Sequence, residues 1–96
     1  MEGKKIPFDR RIMSDEEFDV LDELYFVQPF SYLKEELSME DDELKNVLGS
    51  LLKKGYIKCL FNMNDEVFED QLNFDSEFKN YHYLASKKGL LAHNGR

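Results

Sequence analysis

The chain has 96 residues, 20 of them acidic and 13 basic, giving a formal net charge of −7, and 42% of it is hydrophobic. That length supports one domain around a single core, and no apolar run approaches the roughly 20 residues that span a bilayer. Cys59 is the only cysteine, which excludes an intramolecular disulfide and any cysteine-based zinc cluster.

Residues 1–11 hold four bases (Lys4, Lys5, Arg10, Arg11) against two acids, with no apolar segment behind them. They do not read as a signal peptide, and the chain reads as cytoplasmic. Ile6, Phe8 and Ile12 in this arm suit packing on the parent domain or an exchange of arms between two copies. A first helix begins after Ser14, because Ser14 and Glu17 have the spacing of a capping box. Met13 and Phe18 are placed as the hydrophobic staple beneath it. Phe18, Leu21, Leu24 and Tyr25 then recur at helical spacing, and the helix is expected to fade by Val27, since Pro29 disfavours a helical Gln28. Residues 14–27 carry six acids and no base, several of them in the first turns, where they suit the positive end of the helix dipole.

A short second helix is expected over 31–37, with Phe30, Leu33 and Leu37 as its buried stripe. Ser38 and Asp41 repeat the capping-box spacing and predict the start of a third helix. Leu44, Val47, Leu48, Leu51 and Leu52 give it a continuous apolar stripe, and Gly55 behind Lys53 and Lys54 is its stop. The period then changes to two. Tyr56 to Phe61 and Tyr81 to Leu84 read as antiparallel strands. Between them, residues 64–77 carry six acids and no base. Val67, Phe68, Leu72, Phe74 and Phe78 are too many apolar residues for a solvated loop, so this stretch is either a short extra element or an extended hairpin. Ser86 to Leu91 closes the chain as a capped turn of helix, leaving His93 in a frayed tail.

The segment Leu51-Leu52-Lys53-Lys54-Gly55-Tyr56-Ile57 is similar to a leucine, charged residues, glycine, apolar residue, isoleucine pattern. Ala85-Ser86-Lys87-Lys88-Gly89-Leu90-Leu91 is similar to a leucine-threonine-x-x-glycine pattern. On these segments, and on the order of elements across about residues 14–91, the chain resembles the winged-helix transcription regulators of MarR and PadR type. The resemblance implies an α+β fold, a winged helix-turn-helix of three helices with a two- or three-stranded antiparallel wing. The single domain would divide into an arm (1–13), a three-helix core (14–55), a wing (56–85) and a terminal turn and tail (86–96). A homodimer would have to use residues 1–27 or the wing.

The resemblance also implies that DNA is read from the exposed face of the third helix, at Asp41, Asp42, Lys45, Asn46, Gly49 and Ser50, with Lys53 near the backbone. Lysine can contact guanine or phosphate and asparagine can pair with adenine, so the expected DNA contacts are Lys45, Asn46, Ser50, Lys53 and Lys58. The chain departs from the family pattern at Asp41 and Asp42, and at the wing tip, which reads Asn64-Asp65-Glu66 with Glu69 and Asp70 following. Phosphate contacts supply most non-specific affinity for DNA, and acids oppose them. The alternative is an acidic interaction module without DNA affinity, presenting Glu40, Asp41, Asp42, Asp65 and Glu66 to a basic protein partner.

No catalytic constellation, cofactor motif or metal set is expected. His82 and His93 lie eleven residues apart with one distant cysteine, which is not zinc-site spacing. Asn62, Asn64 and Glu66 begin like a calcium loop but lack the glycine at its sixth position. Cys59 alternates with Ile57 and Phe61, so it reads as a buried small apolar residue, and the chain does not read as an enzyme.

Overall fold

The computed structural model describes residues 13–95. Over that range the protein is an α+β fold, with five α-helices and one three-stranded antiparallel sheet among the described residues. The N-terminal arm with Ile6, Phe8 and Ile12 lies outside the described residues.

Helix α1 spans Asp15–Asp22 and opens with the expected capping box. Ser14 Oγ accepts from Glu17 N (3.1 Å), and Glu17 Oε1 accepts from Ser14 N (2.7 Å). The helix ends at Asp22, well short of Val27. Its last turn tightens, with Glu23 N donating to Val20 O and Leu24 N to Leu21 O, and Leu24 O then accepts from Ala85 N (2.9 Å). A bond to a distant strand thus takes a carbonyl that a longer helix would have kept. Tyr25 therefore leaves the apolar face and is 40% exposed.

Strand β1 is Gln28–Pro29, a third strand at the sheet edge. Proline is tolerated there because an edge position requires no N–H. Helix α2 covers Phe30–Leu37, with Phe30 and Leu33 buried. Helix α3 covers Asp41–Lys54, and its cap corrects the sequence reading. Its N-cap is Glu40 without a side-chain bond, while Ser38 instead closes α2 in the left-handed conformation at φ 54°. The carboxylate expected to complete a box is taken by Lys34, whose Nζ lies 2.8 Å from Asp41 Oδ1.

Leu44, Leu48 and Leu51 of α3 are fully buried, joined by Val20, Leu21, Leu24, Leu33 and Tyr83. Each such aliphatic side chain contributes about 1.5–3 kcal/mol by leaving water. Gly55 ends α3 at φ 75°. Gly55 N donates to Leu52 O and Tyr56 N to Leu51 O, the paired bonds of a Schellman turn.

Strands β2 (Ile57–Leu60) and β3 (His82–Ala85) pair antiparallel, Cys59 opposite Tyr83, and the sheet order is β1-β3-β2. The stretch between them holds both of the alternatives open in the sequence. First comes a hairpin: Leu60 bridges Glu66, Val67 N donates to Cys59 O (2.8 Å) and Phe61 N to Asp65 O (2.7 Å). A short 3-10 helix (Glu69–Gln71) and helix α4 (Phe74–Glu77) follow, laying Leu72, Phe74 and Phe78 half-buried against the core.

Helix α5, Lys87–Asn94, is longer than the single turn expected. Ser86 is its N-cap, with Oγ accepting from Gly89 N (3.1 Å) and donating to Gly55 O (2.6 Å). A Cβ on Gly89 would stand 2.0 Å from Tyr56 O, so only glycine fits where α5 crosses the end of α3. His93 is not in a frayed tail. Its ring stacks on Phe18 at 4.1 Å, and Tyr25 Oη lies 2.8 Å from its Nδ1, tying the last turn of α5 to α1.

Candidate interaction surface

The amphipathic pattern of α3 buries its leucines and leaves Asp42, Glu43, Asn46 and Lys53 exposed. Lys45, Asn46, Ser50 and Lys53, four of the five residues expected to contact DNA, line one hollow of about 500 Å³ with Gly49 and the α4 segment. Lys58 is not among them; it lies on β2, 3.8 Å from Glu66 Oε1.

The α4 segment also changes what the α3 face can offer. A Cβ on Gly49 would lie 3.3 Å from the Phe74 ring, so Phe74 roofs the middle of that face. Lys45 Nζ is 3.6 Å from Asp75 Oδ1 and 5.0 Å from the Phe78 ring centroid. The half-buried Ser50 donates to Glu17 Oε2 at 2.5 Å. Among the expected contacts, Asn46 and Lys53 stand exposed.

The acidic set divides as well. Asp41 lies between Lys34 (2.8 Å) and Lys79 (3.3 Å), and the Lys34 bond, aided by Lys79, holds its carboxyl below the usual range. Glu40 and Asp42 are exposed beside it. Asp65 and Glu66 belong to the hairpin instead. There Asn62 Oδ1 accepts from Asn64 N (2.8 Å) and Asp65 N (3.0 Å), and Asn62 Nδ2 donates to Asp65 Oδ2 (3.0 Å). This fixed tip presents Phe61, Met63 and Phe68 at 46%, 58% and 60% exposure.

Two features escape a reading of the sequence. Glu17, only 4% exposed, is more than a cap. Lys54 Nζ meets Oε1 at 2.8 Å and Oε2 at 3.0 Å, while Ser50 and the Ser14 amide add donors. Burial acts to raise its carboxyl, but Lys54, Ser50 and Ser14 outweigh it and hold the group below its ordinary value. The box spacing gave the local half of this network; the partners on α3, 33 and 37 residues away, have no local signal. The second feature is the exposed apolar tip, whose Phe61 looks in sequence like one more strand residue.

Cys59 is buried as expected, and burial pushes its thiol up to about 12. No helix among the described residues is long and apolar enough to cross a membrane. Comparison with known proteins finds no matching family model, no matching curated protein and no matching solved structure.

Proposed function

We propose that the protein is a winged-helix domain that works as a protein-interaction module. The order α2, tight turn, α3, β2, hairpin, β3 supports the winged-helix reading, with the hairpin as its wing. The observation that carries the functional reading is the roof over α3: Phe74 covers Gly49 and the Asp75 carboxylate stands 3.6 Å from Lys45, so acidic and aromatic groups occupy the middle of the helix face that would enter a groove. The net charge of −7 acts in the same direction, because phosphate contact requires basic groups on the approaching face.

A second reading, DNA binding, is favoured by one observation. Lys53, Lys87 and Lys88 have no carboxylate within ion-pair distance among the described residues. They sit at the end of α3 and the start of α5, where the Lys88 chain passes Gly55. Fluorescence anisotropy of a labelled random-sequence duplex separates the two readings. At about 50 mM salt the module reading expects no saturable binding in the micromolar range. Micromolar binding that weakens by roughly one power of salt concentration per phosphate neutralised would make this a nucleic-acid protein instead.

A further inference from the structure

We propose that His93 is a proton-operated clasp fastening α5 to α1: its Nε2 is bare in the neutral ring and donates to Asp22 once the ring is charged. The hydrogen-bond network assigns where the first proton sits. Tyr25 Oη donates its one proton to Asn94 Oδ1 (2.9 Å). The bond between Tyr25 Oη and His93 Nδ1 (2.8 Å) must then take its proton from the ring. Neutral imidazole carries one N–H, and its other nitrogen has only a lone pair. Nε2 is therefore unprotonated in the neutral form. It is shielded from solvent without a hydrogen-bond partner, and the Asp22 carboxylate stands 3.4 Å away.

A lone pair set beside a negative charge brings no attraction, and a second proton reverses this. The imidazolium gains a donor on Nε2 toward Asp22 while Nδ1 keeps Tyr25, and only a small approach of the two groups is needed. The placement of both residues favours the charged form of the pair. Asp22 is the last residue of α1, at the negative end of the helix dipole, where a carboxylate finds no support from its own helix. His93 lies in the last turn of α5, where positive charge is favoured. The two helix ends complement each other when the ring carries its second proton.

Among the described residues, one charge faces the ring. From α1 come Phe18, stacked at 4.1 Å, and Asp22; Glu17 is held by Lys54, and Glu23 accepts from Tyr32 Oη (2.9 Å). Tyr25 follows α1 and meets the ring edge-on. Strand β3 also packs on α5. Its titratable residues are His82, which makes no ion pair or ring stack with His93, and Tyr83, whose Oη donates to Phe78 O (2.6 Å). Lys87 and Lys88 sit at the far end of α5, Lys88 over the Tyr56 ring at 5.7 Å. A proton on Nε2 thus meets Asp22. Because the folded chain alone offers that carboxylate to the ring, the stabilisation is present at the acid end of the imidazole range and lost as pH rises through it.

The test follows urea unfolding of the full chain and of Asp22→Asn at about pH 5.5 and about pH 8, toward either end of the range in which histidine changes charge. Asp22 is exposed, so the variant keeps the fold. His82, the other histidine, is common to both proteins and cancels in the comparison, and the Glu17 carboxyl titrates below this window. Relative to Asp22→Asn, the native chain should gain about two- to fivefold in its folding equilibrium constant at the acid pH over the alkaline one, the size of a partly exposed ion pair. A difference between the two proteins that is equal at both pH values would overturn the clasp. The same comparison in a His93→Gln background should show no gain; a gain that persists there would belong to another group and overturn it as well. Nitrogen-15 spectra of the ring at alkaline pH read the tautomer: a proton on Nδ1 is expected, and one on Nε2 would overturn the assignment on which the clasp rests.

Discussion

Glu17 is where residue chemistry decides most. Its carboxylate is nearly inaccessible yet charged, held by Lys54, Ser50 and the Ser14 amide. Leaving one member of a buried pair without its partner costs about 3–5 kcal/mol, and the partial exposure of Lys54 argues for the lower end. Glu17→Ala should therefore lose about 3 kcal/mol by urea denaturation. The folded carboxyl titrates below its ordinary value of 4.5, so its contribution is present above that value and lost as pH falls through the folded one. Stability of the native chain should fall on acidification through this range, and Glu17→Gln should flatten that part of the profile; an unchanged slope would mean another group carries it. Gly89 is decided by space. Tyr56 O occupies the position of its absent Cβ, so Gly89→Ala should lose about 3 kcal/mol through a forced backbone shift, measured in the same denaturation.

At the scale of elements, Ser14–Glu17 and Ser38–Asp41 have identical spacing and different fates. The first closes into a box, and Lys54 binds the same carboxylate without displacing the amide. In the second, Lys34 and Lys79 hold Asp41, and the chain needs a left-handed residue to turn α2 into α3. Ser38 therefore carries a conformation that favours glycine. Ser38→Gly relieves left-handed strain of about 1–2 kcal/mol and adds about 0.4–1 kcal/mol of entropy to the unfolded chain, so the thermal midpoint should rise by a few degrees at most, whereas loss of a true N-cap would lower it. Helix α1 fell short of its expected end, and α5 ran past its own, for related reasons: β3 took the Leu24 carbonyl, while Phe18 and Tyr25 anchor His93. Periodicity finds an element; its length is set by distant groups that compete for its ends.

For the molecule as a whole, the α+β class, the three main helices, the β2–β3 pair and the capped last helix were all legible, since each rests on local spacing. The arrangement of residues 61–81 was not. Apolar count alone showed that Leu72, Phe74 and Phe78 would pack, but only the folded chain puts Phe74 over Gly49. That single placement turns an open helix face into a roofed hollow. Charge follows the same logic: a count of seven excess acids gives the sign of the surface, whereas its effective pattern depends on which carboxylates find lysines. The duplex titration reads the first property.

The position of Cys59 opposite Tyr83, with its thiol both shielded and held protonated, has a consequence for the chain's life in an oxidant. The native form resists cross-linking through sulfur, because the sulfur is buried and burial disfavours its ionised form. Any covalent dimer that accumulates must come from molecules that had parted their strands at the moment of reaction. The yield of such dimers over time is thus a cumulative record of how often the sheet opens, written by the protein's only sulfhydryl.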